Sequence, residues 1–359
     1  MRVLRFQPRS FRNLASEVID VDAPMVVFHG TNGQGKSNAL EALSVLGSLR
    51  SFRTPRLAEA VPVGSRAGLD LRAVVRSEEQ TRSFSFTTGD GGRKLVREER
   101  SLDAVAWLTS LRASWFSPAD VAVVREEPVA RRALLDRTIL TLDPGYLSIA
   151  RDHRRVLDQK AALYRSGRAT DAELDVLDAQ LVPLAVRVTR MRRATTERIR
   201  AGFQRMYREI GGGEEADVTL HSQLGEGDDA ELHRRYGLAV AAQRSVERER
   251  RRVLGGSQRD DLVFHVAGRP ARTCASGGQA RSVVLAWKLA EILAAGEAGE
   301  VPIFLVDDLG SELDAGRTAA FVRRLNELGA QVFVSTTDLR VVPPAADVRV
   351  VRVEAGRLV

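Results

Sequence analysis

The sequence predicts an α/β lobe divided in two by an inserted α-helical lobe. Three observations carry this expectation. Short apolar strands that run into helices sit near both ends, around residues 25–49 and 301–328. The middle of the chain nearly lacks strand patterns and is dominated by helical periodicity. Breaks such as Thr141-Leu-Asp-Pro-Gly145, Arg165-Ser-Gly-Arg168 and Leu254-Gly-Gly256 punctuate that middle and close it. The expected division is 1–128 for the first part of the α/β lobe, 129–252 for the helical lobe and 253–359 for the second part.

Each element has a local reason. Val18-Ile-Asp-Val-Asp22 alternates apolar and polar residues, as a half-buried strand does. Met25-Val-Val-Phe28 reads as a short buried strand entering a glycine-rich turn, and helical periodicity follows from about Ser37 to Leu49. Leu71–Arg76 and Ser83–Thr87 alternate, and Gly89-Asp-Gly-Gly92 turns the chain into Lys94-Leu-Val-Arg97, so a hairpin or meander is expected. Leu181, Leu184, Val188, Met191, Ile199, Phe203 and Met206 recur at helical steps and form one face; Arg187, Arg190, Arg193, Arg198 and Arg205 fall largely on others. Gly211-Gly-Gly213 and the acidic stretch through Asp229 read as a flexible loop. Val301–Val306 and Gln331–Ser335 are expected buried strands, 277–295 and 315–328 helices, and 347–359 a terminal hairpin.

Composition narrows the function classes. With 359 residues, 44% of them apolar and 28% charged, the chain can bury a large core without metal or disulfides. A mainly disordered or collagen-like chain is excluded. The single cysteine, Cys274, forbids an intrachain disulfide, fits a reducing compartment and reads as a small packed residue. The N-terminus lacks a secretory apolar stretch, and no run of about 18 apolar residues exists, so a cytoplasmic protein without membrane contact is expected. The net charge is +7, which favours polyanions such as nucleic acid. Of 54 basic residues, only Lys36, Lys94, Lys160 and Lys288 are lysine, and a GC-rich genome produces such an arginine bias by itself. Trp107, Trp115 and Trp287 lie in apolar surroundings and read as core, and the five histidines show no metal-ligand spacing.

Three motifs carry chemistry. Gly30-Thr31-Asn32-Gly33-Gln34-Gly35-Lys36-Ser37 fits G-x-x-x-x-G-K-[ST] between a strand and a helix that continues through Asn38. The glycines let backbone N–H groups approach phosphates, and the helix N-terminus adds its dipole. Lys36 can reach the β- and γ-phosphates, and Ser37 can ligate Mg²⁺. Ile303–Val306 ends in Asp307 and Asp308, the Walker B pattern: Asp307 would hold Mg²⁺ through water, and Asp308 would activate the attacking water. Ser276-Gly277-Gly278-Gln279 opens an apolar helix about 30 residues earlier, and Ser and Gly at a helix start can bind an anion. Ser311-Glu-Leu-Asp314 follows directly after Walker B.

In this order and spacing the set resembles an ABC-type ATPase head of the SMC/Rad50 kind. In that family the P-loop of one subunit and the Ser-Gly-Gly-Gln signature of its partner sandwich ATP. Further segments narrow the resemblance. They are Phe11-Arg-Asn13, Glu41 in the P-loop helix, Phe116-Ser-Pro-x-Asp120, Arg131-Arg132-x-Leu-Leu-Asp136, Tyr146-Leu147, Gly256-Ser-Gln-Arg259-Asp260-Asp261-Leu262 and Gln331-Val-Phe-Val-Ser-Thr-Thr-Asp338. Over nearly the whole chain the succession resembles the RecF family of bacterial DNA replication and repair proteins. Three departures stand out: Ser-Gln replaces the usual Pro-His before Arg259, Ala280 follows the signature, and Ser37 replaces the usual Thr.

The resemblance implies ATP and Mg²⁺ as cofactors, with Lys36, Ser276 and Asp308 catalytic. It implies a homodimer that forms on ATP binding, double-stranded and gapped DNA as ligands, and RecR as partner, with RecO and RecA downstream. A nucleoid-associated place in the cytoplasm goes with it. Arg187, Arg190, Arg192, Arg193 and the run Arg248, Arg250, Arg251 and Arg252 are candidate phosphate contacts, and no base-reading motif is visible. Asp308 stands where many ABC heads carry Glu, one methylene longer, so turnover is expected to be slow. The same engine would also serve a related ATPase outside repair, such as one in defence, or a nucleotide-locked binding protein.

Overall fold

Met25–His29 lies inside a six-stranded sheet in the order Arg357–Leu358, Val348–Glu354, Met25–His29, Val332–Thr336, Ile303–Val306, Ala113–Phe116. All its pairings are parallel except the terminal hairpin. The architecture comes from a computed structural model that describes residues 1–65, 67–77, 80–89, 91–211, 213–299, 301–308, 315–342 and 347–359. The central strands read as continuous apolar runs because helices or sheets cover both faces. Met25, Val27, Phe304, Val306, Val332 and Val334 point into one core, and Val26, Phe28, Ile303, Leu305 and Phe333 into another. The P-loop helix Lys36–Ser48 packs in the second core, and the signature helix Gly277–Glu297 packs in the first. The sheet therefore stands between them.

The second core is closed by an antiparallel sheet in the order Ile19–Asp20, Arg2–Ser10, Asp70–Ser77, Gln80–Gly89, Gly92–Arg97, Arg100–Ser101, which contains the expected meander. Trp107, Trp115 and Trp287 are all buried, as their apolar surroundings predict. Among the described residues no helix is long and apolar enough to cross a membrane.

The helical lobe is built on Asp171–Ile210, a 40-residue helix opened by a Thr170/Glu173 capping box. Its buried stripe includes Leu181, Val188, Ile199, Phe203 and Met206, the periodic face of the sequence. Buried charge ties it to its neighbours: Lys160 Nζ lies 2.7 Å from Asp178 and 3.2 Å from Glu247, joining Tyr146–Ser166, Asp171–Ile210 and Asp229–Arg250. Two expectations are corrected here. Arg192 is not a phosphate contact, because it is buried between Asp136 and Asp260 at 2.8 and 3.0 Å. The acidic stretch is not all loop: Ala216–His221 is a strand paired antiparallel with Asp261–Val266, and its alternation of Ala216 and Val218 with Asp217 and Thr219 was the available signal.

Several segments that carry the family resemblance converge on this joint. Arg131 makes a two-pronged bond to Asp261 at 2.8 and 2.9 Å, Thr189 donates to Asp260, and Tyr146 donates to Asp136. His153 Nε2 lies 2.8 Å from the Ser257 hydroxyl. The paired acids of Arg259-Asp260-Asp261 therefore fasten the helical lobe to the α/β lobe.

Candidate functional site

The P-loop is shaped by its glycines. Gly33 and Gly35 have φ of 81° and 117°, a region glycine enters freely. A Cβ on Gly30 would stand 2.4 Å from the carbonyl oxygen of Val353. Lys36 Nζ donates to the carbonyls of Gly30 and Thr31 at 2.9 Å each, so its ammonium lies across the mouth of the loop. Burial lowers its pKa, opposed by the negative charges of Asp308 and Asp307.

The Walker B acids meet the P-loop from Ile303–Val306, one strand beyond Val332–Thr336 in the sheet. Ser37 and Ser335 each donate a hydroxyl to Asp307 Oδ1 at 2.7 Å. The Asp308 N–H donates to Ser335 Oγ at 2.9 Å, and Asp308 sits at φ 58°, which Asp tolerates better than most residues. These groups line a cleft of about 370 Å³ that includes Gly33, Gly35, Lys36, Asn38, Asp307 and Asp308. Ser37 Oγ and Asp307 Oδ1 are adjacent hard oxygen donors, the set that suits Mg²⁺ beside phosphate.

The signature lies elsewhere. Ser276 caps the helix Gly277–Glu297: its Oγ accepts from the Gln279 N–H at 3.1 Å, and Gln279 Oε1 accepts from the Ser276 N–H at 2.8 Å. Gln279 Nε2 also donates to Glu214 at 2.7 Å. Ser276 and Gly277 are exposed, and none of Ser276–Gln279 lines the P-loop cleft. The structure thus brings Gly33, Gly35, Lys36, Ser37, Asn38, Asp307 and Asp308 together and leaves the signature on the far side of the sheet. Ser311–Asp314 lie outside the described residues. Cys274 is exposed, not packed, because it ends the short helix Ala271–Cys274 at the surface, just before the signature.

The arginine candidates divide. Arg190 pairs with Asp229 at 2.7 Å, Arg248 with Asp171 at 2.6 Å, and Arg193 donates to the carbonyl of Gly225 at 2.6 Å. Arg187 and Arg251 are exposed and have no carboxylate partner among the described residues. Sequence reasoning missed a second positive cluster. Arg50, Arg53, Arg93 and Arg137 line a cavity of about 600 Å³ with Phe52 and Trp115. Burial and then the charge of Arg50 lower the Arg93 pKa, and Arg93 lies 5.6 Å over the Phe86 ring. Arg53 lines both cavities and donates to Asn38 Oδ1 at 2.6 Å. No contiguous motif marks these residues, because they come from a post-helix loop, a strand and a later helix.

Comparison with known proteins gives the family and the fold. The chain matches the family described as RecF/RecN/SMC N terminal domain over residues 3–357. It is 36% identical over 349 residues to the DNA replication and repair protein RecF of Geobacter metallireducens, which covers 94% of this chain and 93% of that protein. It is 34% identical over 368 residues to the RecF of Heliobacterium modesticaldum, covering 100% and 99%. The solved structure of the recombination mediator protein RecF-ATP in the RecFOR pathway superposes with a TM-score of 0.89 at 23% identity, over 99% of this chain and 96% of that one. An Smc head bound to the C-winged helix domain of ScpA gives 0.60 at 15% identity, over 100% and 97%. These two likenesses show the fold.

Proposed function

The chain belongs to the RecF/RecN/SMC N-terminal-domain family, within its RecF branch, and on that premise we propose an ATP-dependent DNA clamp of recombinational repair. It dimerises on duplex DNA near single-strand gaps and works with RecR and RecO to load RecA, and ATP hydrolysis resets it. One observation carries the reading. The P-loop and Walker B acids share one cleft, while the signature sits exposed behind the central sheet, so a second copy must supply it. Residues 1–128 and 253–359 are taken as the ATPase lobe and 129–252 as the inserted arm.

In the proposed mechanism Lys36 exchanges its carbonyl bonds for the β- and γ-phosphates. Ser37 and Asp307 would hold Mg²⁺, which neutralises phosphate charge. Asp308 accepts a proton from the attacking water. Ser276, Gly277, Gly278 and Gln279 of the second copy present a helix N-terminus to the γ-phosphate. Asp308 carries a shorter arm than Glu, so turnover is expected to be slow. Arg187 and Arg251 on the arm, with Arg50 and Arg93 beside the P-loop helix, supply phosphate contacts without base reading.

The test is binding to a fluorescent gapped duplex with and without MgATP, with Ser276→Arg as control. ATP-dependent binding that the control loses supports the clamp. Tight binding in both states reduces the arginines to a passive polyanion surface, and no binding in either state points to a related ATPase outside repair.

A further inference from the structure

The C-terminal hairpin reaches the phosphate cradle from behind. Val348–Glu354 runs parallel to Met25–His29, with Arg352 opposite His29, and then turns back through Ala355 and Gly356 into Arg357–Leu358. Both turn residues sit at positive φ, 47° and 83°, as a tight two-residue hairpin requires. Alanine is strained there, because its Cβ crowds the following carbonyl oxygen. That strain is held by contacts. The Ala355 N–H donates to Gln34 Oε1 at 2.6 Å, and the Gly356 N–H donates to the Gln34 carbonyl at 2.8 Å. The Gly356 carbonyl accepts from the Ala15 N–H at 2.9 Å, and Arg357 pairs with Glu17 at 3.0 Å. There is no slack: a Cβ on Gly356 would stand 1.9 Å from the Asn13 carbonyl oxygen. Asn13 in turn accepts from Asn38 Nδ2 at 2.6 Å, at the first turn of the P-loop helix.

The Gln34–Gly35 peptide is planar and trans, so its C=O and N–H point in opposite directions. Tying the carbonyl to the hairpin therefore turns the Gly35 N–H away from it, and Gly35 lines the phosphate cleft. Val353 also stands directly behind Gly30, so the same hairpin backs the start of the loop.

We infer that the Ala355–Gly356 turn is a positioning element of the nucleotide site, which acts through Gln34 to aim the P-loop amides before phosphate arrives. The last residues of the chain thus set nucleotide affinity although they line no part of the cleft. This inference rests on the reading of the cleft as the nucleotide site.

Three full-length variants test it, measured by affinity for a fluorescent ATP analogue with Mg²⁺ and by amide hydrogen exchange at Gly33–Ser37 without nucleotide. Gly356→Ala forces the turn off Asn13 and should weaken binding about tenfold while speeding P-loop exchange. Gln34→Ala removes one acceptor, leaves space unfilled and should weaken binding about threefold. Ala355→Gly keeps the N–H, relieves the left-handed strain and should bind as the parent does. In Gln34→Ala the KM for MgATP should rise by more than kcat falls, because the change acts on how phosphate is held rather than on Asp307 and Asp308. If Gly356→Ala does not fold, Gln34→Ala decides alone. Parental affinity and parental P-loop exchange in Gln34→Ala overturn the inference. A parent that binds no nucleotide refutes the nucleotide reading instead, and the exchange data still decide whether the hairpin holds the loop.

Discussion

The two halves of the proposed ATP site are built differently. On the P-loop side every functional group is fastened within the chain: Ser37 and Ser335 hold Asp307, Ser335 holds the Asp308 backbone, and Lys36 rests on the loop carbonyls. On the signature side, Ser276 and Gln279 cap their own helix, and Ser276 and Gly277 face solvent. The first half is preorganised for a ligand, and the second is an open face that needs something brought to it. On the proposed reading one chain holds two half-sites, and ATP binding and ATP-driven assembly should separate by mutation.

The sharpest break between the halves comes from paired substitutions. Lys36→Ala should weaken MgATP binding by about 100-fold or more, worth about 2.7 kcal/mol, measured by equilibrium titration. Ser276→Arg should leave monomer affinity near the parental value yet abolish the ATP-induced dimer in sedimentation. An intact dimer in Ser276→Arg would refute the division. Asp308→Asn tests the chemistry within the first half: hydrolysis should fall by about 10²–10⁴-fold with binding retained, and unchanged hydrolysis would remove Asp308 as the base.

Effects away from the two half-sites sharpen the comparison at its edges. Arg50→Ala with Arg93→Ala should flatten the log–log salt dependence of DNA binding by up to about 0.9 per lost contact. Arg190→Ala with Arg248→Ala should change it less, since those arginines are already paired within the arm. The joint that holds the arm also carries a pH signature. Burial, with the positive charge of Arg192, pushes the His153 pKa down from 6.5 to about 4. The unfolded chain then binds the extra proton between those values. The contribution is fully present above pH 6.5 and is lost as pH falls towards 4, on the order of 3 kcal/mol in all. Denaturant titrations from pH 7 to 4.5 should show this slope, and His153→Gln should flatten it.

What the sequence made legible follows from locality. Gly30–Ser37 and Ile303–Asp308 are contiguous, and their chemistry needs only a strand, a turn and a helix start, so both were readable. Ala216–His221 was hidden because its glycine- and acid-rich flanks outweighed a short alternation whose partner, Asp261–Val266, is distant in the chain. Arg192 looked like its exposed neighbours because helical spacing does not reveal which face meets Asp136 and Asp260. The Arg50–Arg93–Arg137 cluster and the Gln34–Gly356 contact were invisible because each joins segments far apart in the chain.

Cys274 offers the most direct test of the central claim. It is the single cysteine, it is exposed, and it lies two residues before Ser276. Its rate of maleimide labelling should fall several-fold on adding MgATP to the parent, as a second copy closes over the signature, and should not change in Ser276→Arg. A parental labelling rate that MgATP leaves unchanged, under conditions where nucleotide is bound, would contradict the composite site.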